Sequence, residues 1–320
     1  MVTKHRPYNK AVILGAAGFI GINLAHALIA HGFEVACFDR TTSPHWPVAA
    51  RAIAGEFAAM PAELLHALDG ALVFHLISSC RPSASTATAA DEVGYDLATT
   101  IRYLETCKSR AVRWVFVSSG GTVYGHNDAT RIDETAQTHP ICSYGVVKLA
   151  IEQYFSLYRH LHGTDYVVAR LANPYGPWQR PMSGQGLIPT LIYKALRNDP
   201  IEVWGDGNNV RDYIFISDAI AGLLAAATAE SGNIYNVGTG IGTSITELTQ
   251  IIGAALNIQI RTNRMAARSV DVKRNVLNTD KLLKISGWKP TTDLTSGILQ
   301  TADWISSNTP ANLTADWKTI

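Results

Sequence analysis

The sequence predicts an α/β fold, a doubly wound parallel sheet with a smaller C-terminal lobe, on three observations. Short β-rich runs alternate with longer helical patterns through the first half of the chain, the order expected of strands joined by crossover helices. The runs, V-I-L-G and W-V-F-V among them, are apolar without alternation, as expected where helices cover both faces of a sheet. After residue 171 the texture changes to Pro/Gly-rich loops between shorter helices, with N-P-Y-G-P at 173–177 and W-G-D-G-N-N at 204–209. At 320 residues, 47% of them apolar, the chain can bury one large core or two unequal ones. The expected division is 1–172, to which later segments return, and 173–320. The polar stretch 306–320 is expected to fray.

The first strand, residues 11–15, runs into Gly15-Ala16-Ala17-Gly18-Phe19-Ile20-Gly21 and then a helix, Phe19–Ala30. Glycines after a strand let the backbone approach a pyrophosphate, and the N-terminus of the following helix supplies unpaired N–H groups and a favourable dipole. The spacing is GxxGxxG, which taken alone also suits tight strand-to-helix packing. The second strand, Glu34–Asp39, ends in an acid about 20 residues beyond the fingerprint, where a carboxylate accepts hydrogen bonds from an adenosine ribose. Asp39 would repel a 2′-phosphate and so favours NAD over NADP, while Arg40 beside it carries the charge that would suit NADP. Further strands are expected over 71–77 and 112–119, with a helix over 91–109.

The strand at 112–119 stops at Ser118-Ser119-Gly120-Gly121. Further on, Ser143-Tyr144-Gly145-Val146-Val147-Lys148 opens an apolar-periodic helix, Ser143–His162. Positions i and i+4 share a helix face, so Lys148 can bring its ammonium near Tyr144. A nearby cation favours phenolate over phenol and makes the tyrosine a candidate general base toward a sugar hydroxyl. The bland alternative is an amphipathic helix with a lysine on its wet side. The order of the motifs argues against it: a glycine fingerprint, an acid after strand two, strand-end serines and YxxxK follow one another as a single site requires.

On these residues the chain resembles the extended short-chain dehydrogenase/reductases, in particular the NAD-dependent nucleotide-sugar epimerase/dehydratase group and most of all its UDP-glucose 4-epimerases, over about residues 10–305. The resemblance implies a Rossmann-type domain in which Gly15, Gly18, Phe19, Ile20 and Gly21 hold the pyrophosphate of NAD and Asp39 holds its ribose. Glu56 and Phe57 fall where the family has an acid and an apolar residue facing adenine. Phe74–Ser79, with Leu76, occupies the place of the H-x-A-A segment along the nicotinamide ribose, and Asp96 stands where an asparagine is common. For the substrate, the resemblance assigns Asn173 of N-P-Y-G-P, Arg211 of R-D-Y, and Arg268 with Asp271 of R-x-x-D to the nucleotide diphosphate and its ribose. Two guanidinium forks suit a diphosphate chemically. Trp204 lies where an aromatic ring packs on the base, and is equally well a core tryptophan. Asn275, seven positions after Arg268, replaces a bulky tyrosine and would leave room for an N-acetyl group at sugar C2.

The implied reaction is inversion at C4 of a UDP-hexose, with Tyr144 as base, Lys148 as its tuner and a strand-end hydroxyl on the substrate oxygen. Ser119 is the choice for that hydroxyl, with Ser118 and Thr122 in reserve. In family terms, dehydratases and decarboxylases carry a carboxylate directly after the strand end; Gly120-Gly121-Thr122 supplies none, which demotes both. A 4-keto-sugar reductase remains an alternative, as does a dinucleotide-binding sensor without turnover. Helices 91–109 and Ser143–His162 resemble the pair that forms a homodimer interface in this family, and their apolar stripes fit an intrachain core as well.

Composition bounds the rest. A net charge of +1 with 17% charged residues gives no footprint for nucleic acid or an anionic membrane. Neither the run at 11–15 nor that at 219–227 is long enough for a signal core or a span. Cys37, Cys80, Cys107 and Cys142 make no metal-ligand or redox pattern and are expected to be free thiols in a soluble cytoplasmic protein, with no metal.

Overall fold

The computed structural model describes residues 8–79, 89–266 and 272–308. The described residues divide into two compact units, one taking those up to residue 119 with Cys142–Arg170 and Leu223–Tyr235, the other Gly120–Ile141, Leu171–Gly222 and those from residue 236 onward. Residues 309–320, most of the stretch expected to fray, lie outside the described residues, as does Cys80.

The first unit begins β1 (Lys10–Leu14), α1 (Phe19–Ala30), β2 (Glu34–Asp39), β3 (Arg51–Ala54), α2 (Ala62–Leu68) and β4 (Ala71–His75). Residues 76 and 77 leave the strand expected to include them, and Gly15 leaves β1 because its φ of 90° is left-handed. The helix expected over 91–109 is interrupted: α3 (Ala89–Glu92) passes through a π turn, Val93–Leu97, into α4 (Ala98–Cys107). Next come β5 (Arg113–Ser119), α5 (Ser143–His162) and β6 (Asp165–Leu171). A left-handed Gly163 stops α5, and Arg159, His160 and His162 in its last turn suit the negative end of the dipole.

The second unit contains β7 (Asn173–Tyr175), α6 (Leu187–Leu196), β8 (Ile201–Trp204), β9 (Val210–Phe215) and the start of α7 (Ile216–Ala227). After β10 (Asn233–Val237) it continues with β11 (Gly242–Ser244), α8 (Ile245–Leu256), β12 (Thr262–Met265), β13 (Arg274–Asn275), α9 (Asp280–Ser286) and α10 (Leu294–Asn308). Its strands form a small sheet in the order β11-β9-β13, with β7 also on β9, and a β8–β12 pair.

The large sheet has seven strands in the order β10-β6-β5-β4-β1-β2-β3. The pairs β1–β2, β1–β4, β2–β3 and β4–β5 are parallel. Every residue of β4 is buried, and all of β5 but Ser119, which explains the unbroken apolar runs in the sequence. The chain winds from β1 outward to β2 and β3, then crosses back to β4 on the other side of β1. Loops leaving the carboxyl ends of β1 and β4 therefore flank a topological switch point, the usual ligand crevice of such sheets.

Candidate active site

The glycines after β1 have different physical jobs. Gly15 turns the chain at φ 90°, and its N–H and that of Ala16 donate to Phe38 O at 2.9 and 3.0 Å. A Cβ on Gly21 would lie 2.5 Å from Gly15 O and 2.6 Å from Ala16 Cα, so only glycine lets α1 start this close to β1. A Cβ on Gly18 would touch only Gly15 O, at 3.4 Å. Gly18 is exposed, Phe19 and Ile20 are half-buried, and no side chain caps α1, so its N-terminus is open to an anion. Asp39 fastens this loop to β2: Oδ2 accepts from Ala17 N–H at 2.9 Å and Oδ1 from Arg40 N–H at 2.8 Å. Trp46, which the sequence reading missed, donates its indole N–H to Ala16 O at 2.9 Å from the loop after β2.

Nearby, Glu56 Oε2 accepts from Tyr95 Oη–H at 3.2 Å. Phe57 does not turn its ring outward as a residue facing adenine would. It is 1% exposed and stacks on Tyr103 with centroids 4.6 Å apart, so the ring belongs to the core. Leu76 is half-buried, its N–H donating to Leu14 O at 2.9 Å, and it lies against the Gly15 turn.

On α5, Tyr144 and Lys148 stand one turn apart, with Nζ 5.7 Å from the centre of the Tyr144 ring and 4.9 Å from that of Phe116. Nζ also donates to Ile77 O at 3.4 Å and to Val117 O at 3.3 Å. Burial pushes the Lys148 ammonium down to about 8, against the opposing pull of Asp96 and Glu152. His75, wholly buried behind this cluster, is pushed down to about 3 by burial and by Lys148, and is neutral. Its Nε2 pairs with Thr100 Oγ1 at 2.8 Å.

The two serines ending β5 face opposite ways, as strand alternation requires. Ser118 is buried, and its hydroxyl donates to Glu152 Oε1 at 2.5 Å. Glu152 in turn takes a two-pronged bond from Arg170, with Nη2–Oε2 at 2.6 Å and Nε at 3.2 Å from both oxygens. Ser119 is half-buried where Ser118 is buried, so it is the more accessible of the two strand-end hydroxyls. Glu152 and Arg170 were not anticipated, although Tyr144, Lys148 and Glu152 at i, i+4 and i+8 mark one helix face.

In the second unit, Asn173, Arg211 and Asn275 sit on adjacent strands: β7 pairs Asn173 with Tyr213, and β13 pairs Asn275 with Arg211. Asn173 Nδ2 donates to Asp212 O at 2.9 Å, and Arg211 is half-buried with Nη1 on Val210 O at 2.9 Å. Buried Asp212 organises the turn after β10, accepting from Thr239 N–H and Oγ1–H at 2.9 and 2.6 Å and from Gly240 N–H at 3.1 Å. Asn275 is fully buried; its Nδ2 donates to Gly120 O at 3.0 Å and its Oδ1 has no hydrogen-bond partner among the described residues. Trp204 ends β8 half-buried, paired with Met265 of β12. Arg268 and Asp271 lie outside the described residues.

A family model described as the NAD dependent epimerase/dehydratase family matches residues 11–238. The chain belongs to that family. It is 30% identical over 306 residues to the UDP-glucose 4-epimerase of Mycolicibacterium smegmatis, spanning 92% of this chain and 98% of that protein. Among solved structures, the Thermotoga maritima UDP-glucose 4-epimerase with UDP-glucose matches with a TM-score of 0.87 and 27% identity, covering 93% of this chain and 99% of that one. The Thermus thermophilus UDP-glucose 4-epimerase complex with NAD matches with a TM-score of 0.86 at the same identity and coverage. The family's cofactor fits the residues present: a glycine cradle with a small open flank at Gly18, an uncapped helix N-terminus and a carboxylate at the end of β2. No group of three His, Cys, Asp or Glu able to hold a metal occurs among the described residues, nor any helix long and apolar enough to cross a membrane. Cys37, Cys107 and Cys142 are free; burial pushes the Cys37 thiol to about 12 and the Cys107 thiol to about 11, which disfavours the thiolate at those two.

Proposed function

We propose that the chain is an NAD-dependent 4-epimerase of a UDP-hexose. The observation that carries this reading is the Tyr144–Lys148 pair on α5, together with a β5 end that offers hydroxyls and no carboxylate at Gly120-Gly121-Thr122. Bound NAD supplies a hydride acceptor and donor at C4, so that a 4-keto sugar is transient and no net oxidation results. The chain's residues then have these roles. Tyr144, as phenolate, takes the proton of the C4 hydroxyl and returns it. Lys148 stabilises that phenolate by its charge. Ser119 donates a hydrogen bond to the C4 oxygen and holds it against Tyr144. Gly15 and Gly21 shape the turn that lets the cofactor's pyrophosphate approach, Gly18, Phe19 and Ile20 line the uncapped N-terminus of α1 that receives it, Asp39 binds its adenosine ribose, and Arg40 lies beside it. Glu56 and the Phe57 backbone serve the adenine, and Leu76 the nicotinamide ribose. In the second unit Arg211, Asn173 and Arg268 receive the sugar diphosphate, Asp271 the nucleoside ribose, and Trp204 packs on the base.

The test is product formation: incubation with UDP-galactose should give UDP-glucose without added reductant. Loss of water or net consumption of NADPH would assign a dehydratase or a reductase instead, and inactivity of the NAD-loaded protein toward every UDP-hexose would leave a sensor. Asn275, smaller than the tyrosine the resemblance places there, is read as leaving room for a C2 N-acetyl group. Turnover of UDP-GlcNAc alongside UDP-glucose would bear this out, and activity confined to the non-acetylated sugar would overturn it. The cytoplasm suits its free thiols. The proposed oligomer is a homodimer through α5, which exposes Val146, Leu157 and Leu161, three turns and then one turn apart. A sedimentation result of monomer only would remove it.

A further inference from the structure

The π turn Val93–Leu97 puts an acid inside the first unit. Such a turn carries one residue more than an α turn, which widens the helix and re-aims a side chain. Here the consequence is Asp96, only 3% exposed. Both its oxygens accept from Ser79 N–H, at 2.9 and 3.0 Å, and Oδ2 also from Ser78 Oγ–H at 3.4 Å. Burial raises the Asp96 carboxyl, while the hydrogen bonds from Ser79 and Ser78 and the charge of Lys148 pull it back down and favour the carboxylate. Lys148 Nζ holds the same short segment from the other side through Ile77 O, at 3.4 Å. An anion and a cation therefore grip consecutive residues of the loop after β4.

We infer that Asp96 is a positioning residue whose carboxylate keeps the Lys148 ammonium charged and aimed at Tyr144. The groups facing Lys148 narrow the choice to this one. On its own helix, Glu152 lies one turn further, but Arg170 of β6 already pairs with it in two-pronged fashion at 2.6 Å. On β4, His75 is neutral. The carbonyls of Ile77 and Val117 and the Phe116 ring accept the ammonium without carrying charge. Among the described residues, Asp96 is left as the anion facing Lys148 whose charge no arginine offsets.

The sign follows from burial. Removal from water has brought Lys148 down to about 8 even with Asp96 and Glu152 both raising it. Without Asp96 it should fall further, and the cation that stabilises the Tyr144 phenolate would be lost at a lower pH. The kinetic half of this inference rests on the proposed epimerase reaction; the titration half does not.

Two measurements on the NAD-loaded protein test it. With lysine labelled with carbon-13 at Cε, the Lys148 signal is assigned by its loss in Lys148→Met and followed against pH. Asp96→Asn should lower its midpoint by about one pH unit or more, the size expected of a close opposite charge. The basic limb of kcat for UDP-galactose conversion should move by the same amount, giving a deficit of roughly fivefold to tenfold at about pH 8.5 that narrows toward about pH 6.5. An unmoved lysine midpoint, or a deficit equal at every pH, would overturn the inference and leave Asp96 a packing residue. If Asp96→Asn does not fold, Asp96→Ser, smaller and also neutral, carries both measurements. If no UDP-hexose is turned over at all, the proposed reaction fails while the lysine titration still decides the role of Asp96.

Discussion

Ser118 and Ser119 are chemically identical neighbours, and their surroundings separate them. Ser118 spends its proton on Glu152 inside the buried Glu152–Arg170 pair, so Ser118→Ala leaves a charged acceptor one donor short. The expected cost is about 1–3 kcal/mol of stability, read as a lower urea midpoint, with kcat changed less than about threefold. Ser119→Ala should do the reverse, lowering kcat by roughly tenfold to a hundredfold with the midpoint nearly unmoved, because a half-exposed hydroxyl on the reacting oxygen matters chiefly in the transition state. Equal small effects on kcat would remove Ser119 from the mechanism. The sequence allowed the choice of Ser119 but not its reason. Strand alternation says that the two serines face apart; which face holds a glutamate depends on α5 lying against β5. Asn275 is a similar case, since its position relative to Arg268 could be counted while its bond to Gly120 O could not.

At the scale of elements, the turn from β1 into α1 shows one motif doing two jobs that mutation can separate. A methyl at Gly21 meets backbone atoms at 2.5 and 2.6 Å, and backbone cannot move aside cheaply. Gly21→Ala should therefore cost about 1–3 kcal/mol in stability and weaken NAD binding as well. Gly18→Ala meets only one atom, at 3.4 Å, so it should fold with nearly unchanged stability and lose NAD affinity by about tenfold or more, because the methyl occupies the pyrophosphate's approach. Quenching of protein fluorescence by NAD, set beside a thermal melt, distinguishes the two; loss of stability without loss of affinity at Gly18 would refute the cradle. Strands β1, β2, β4 and β5 of the large sheet were legible because their runs are apolar and mostly buried on both faces, whereas β3 and β10, with exposed or half-buried positions, carry no such run. The break in the helix over 91–109 was not: Gly94 weakens the segment locally, but the π turn pairs with an inward Asp96 held by Ser78 and Ser79, residues distant in sequence. Hydrophobic periodicity has no term for such a polar anchor.

For the whole molecule, the question is whether cofactor and substrate are recognised by separable parts of the chain. The NAD-binding residues proposed here, Gly18 and Asp39 among them, belong to the first unit, whereas Asn173 and Arg211 belong to the second. A ligand that binds only the folded state stabilises it by RT ln(1 + [L]/Kd), about 2.7 kcal/mol at a hundredfold excess over Kd, which corresponds to several degrees in the midpoint of a chain this size. NAD and UDP should each raise the thermal midpoint on its own. Gly18→Ala should abolish most of the NAD shift and leave the UDP shift in place. Arg211→Ala should cut the UDP shift, by an affinity loss of about tenfold for one arginine–diphosphate fork, and leave the NAD shift in place. If either substitution removed both shifts equally, the division of labour between the units would be wrong. A UDP shift that survived Arg211→Ala intact would instead move diphosphate recognition away from β9, to groups such as Asn173 or Arg268. Measuring both ligands on both variants thus assigns each half of the recognition to its residues without requiring any turnover.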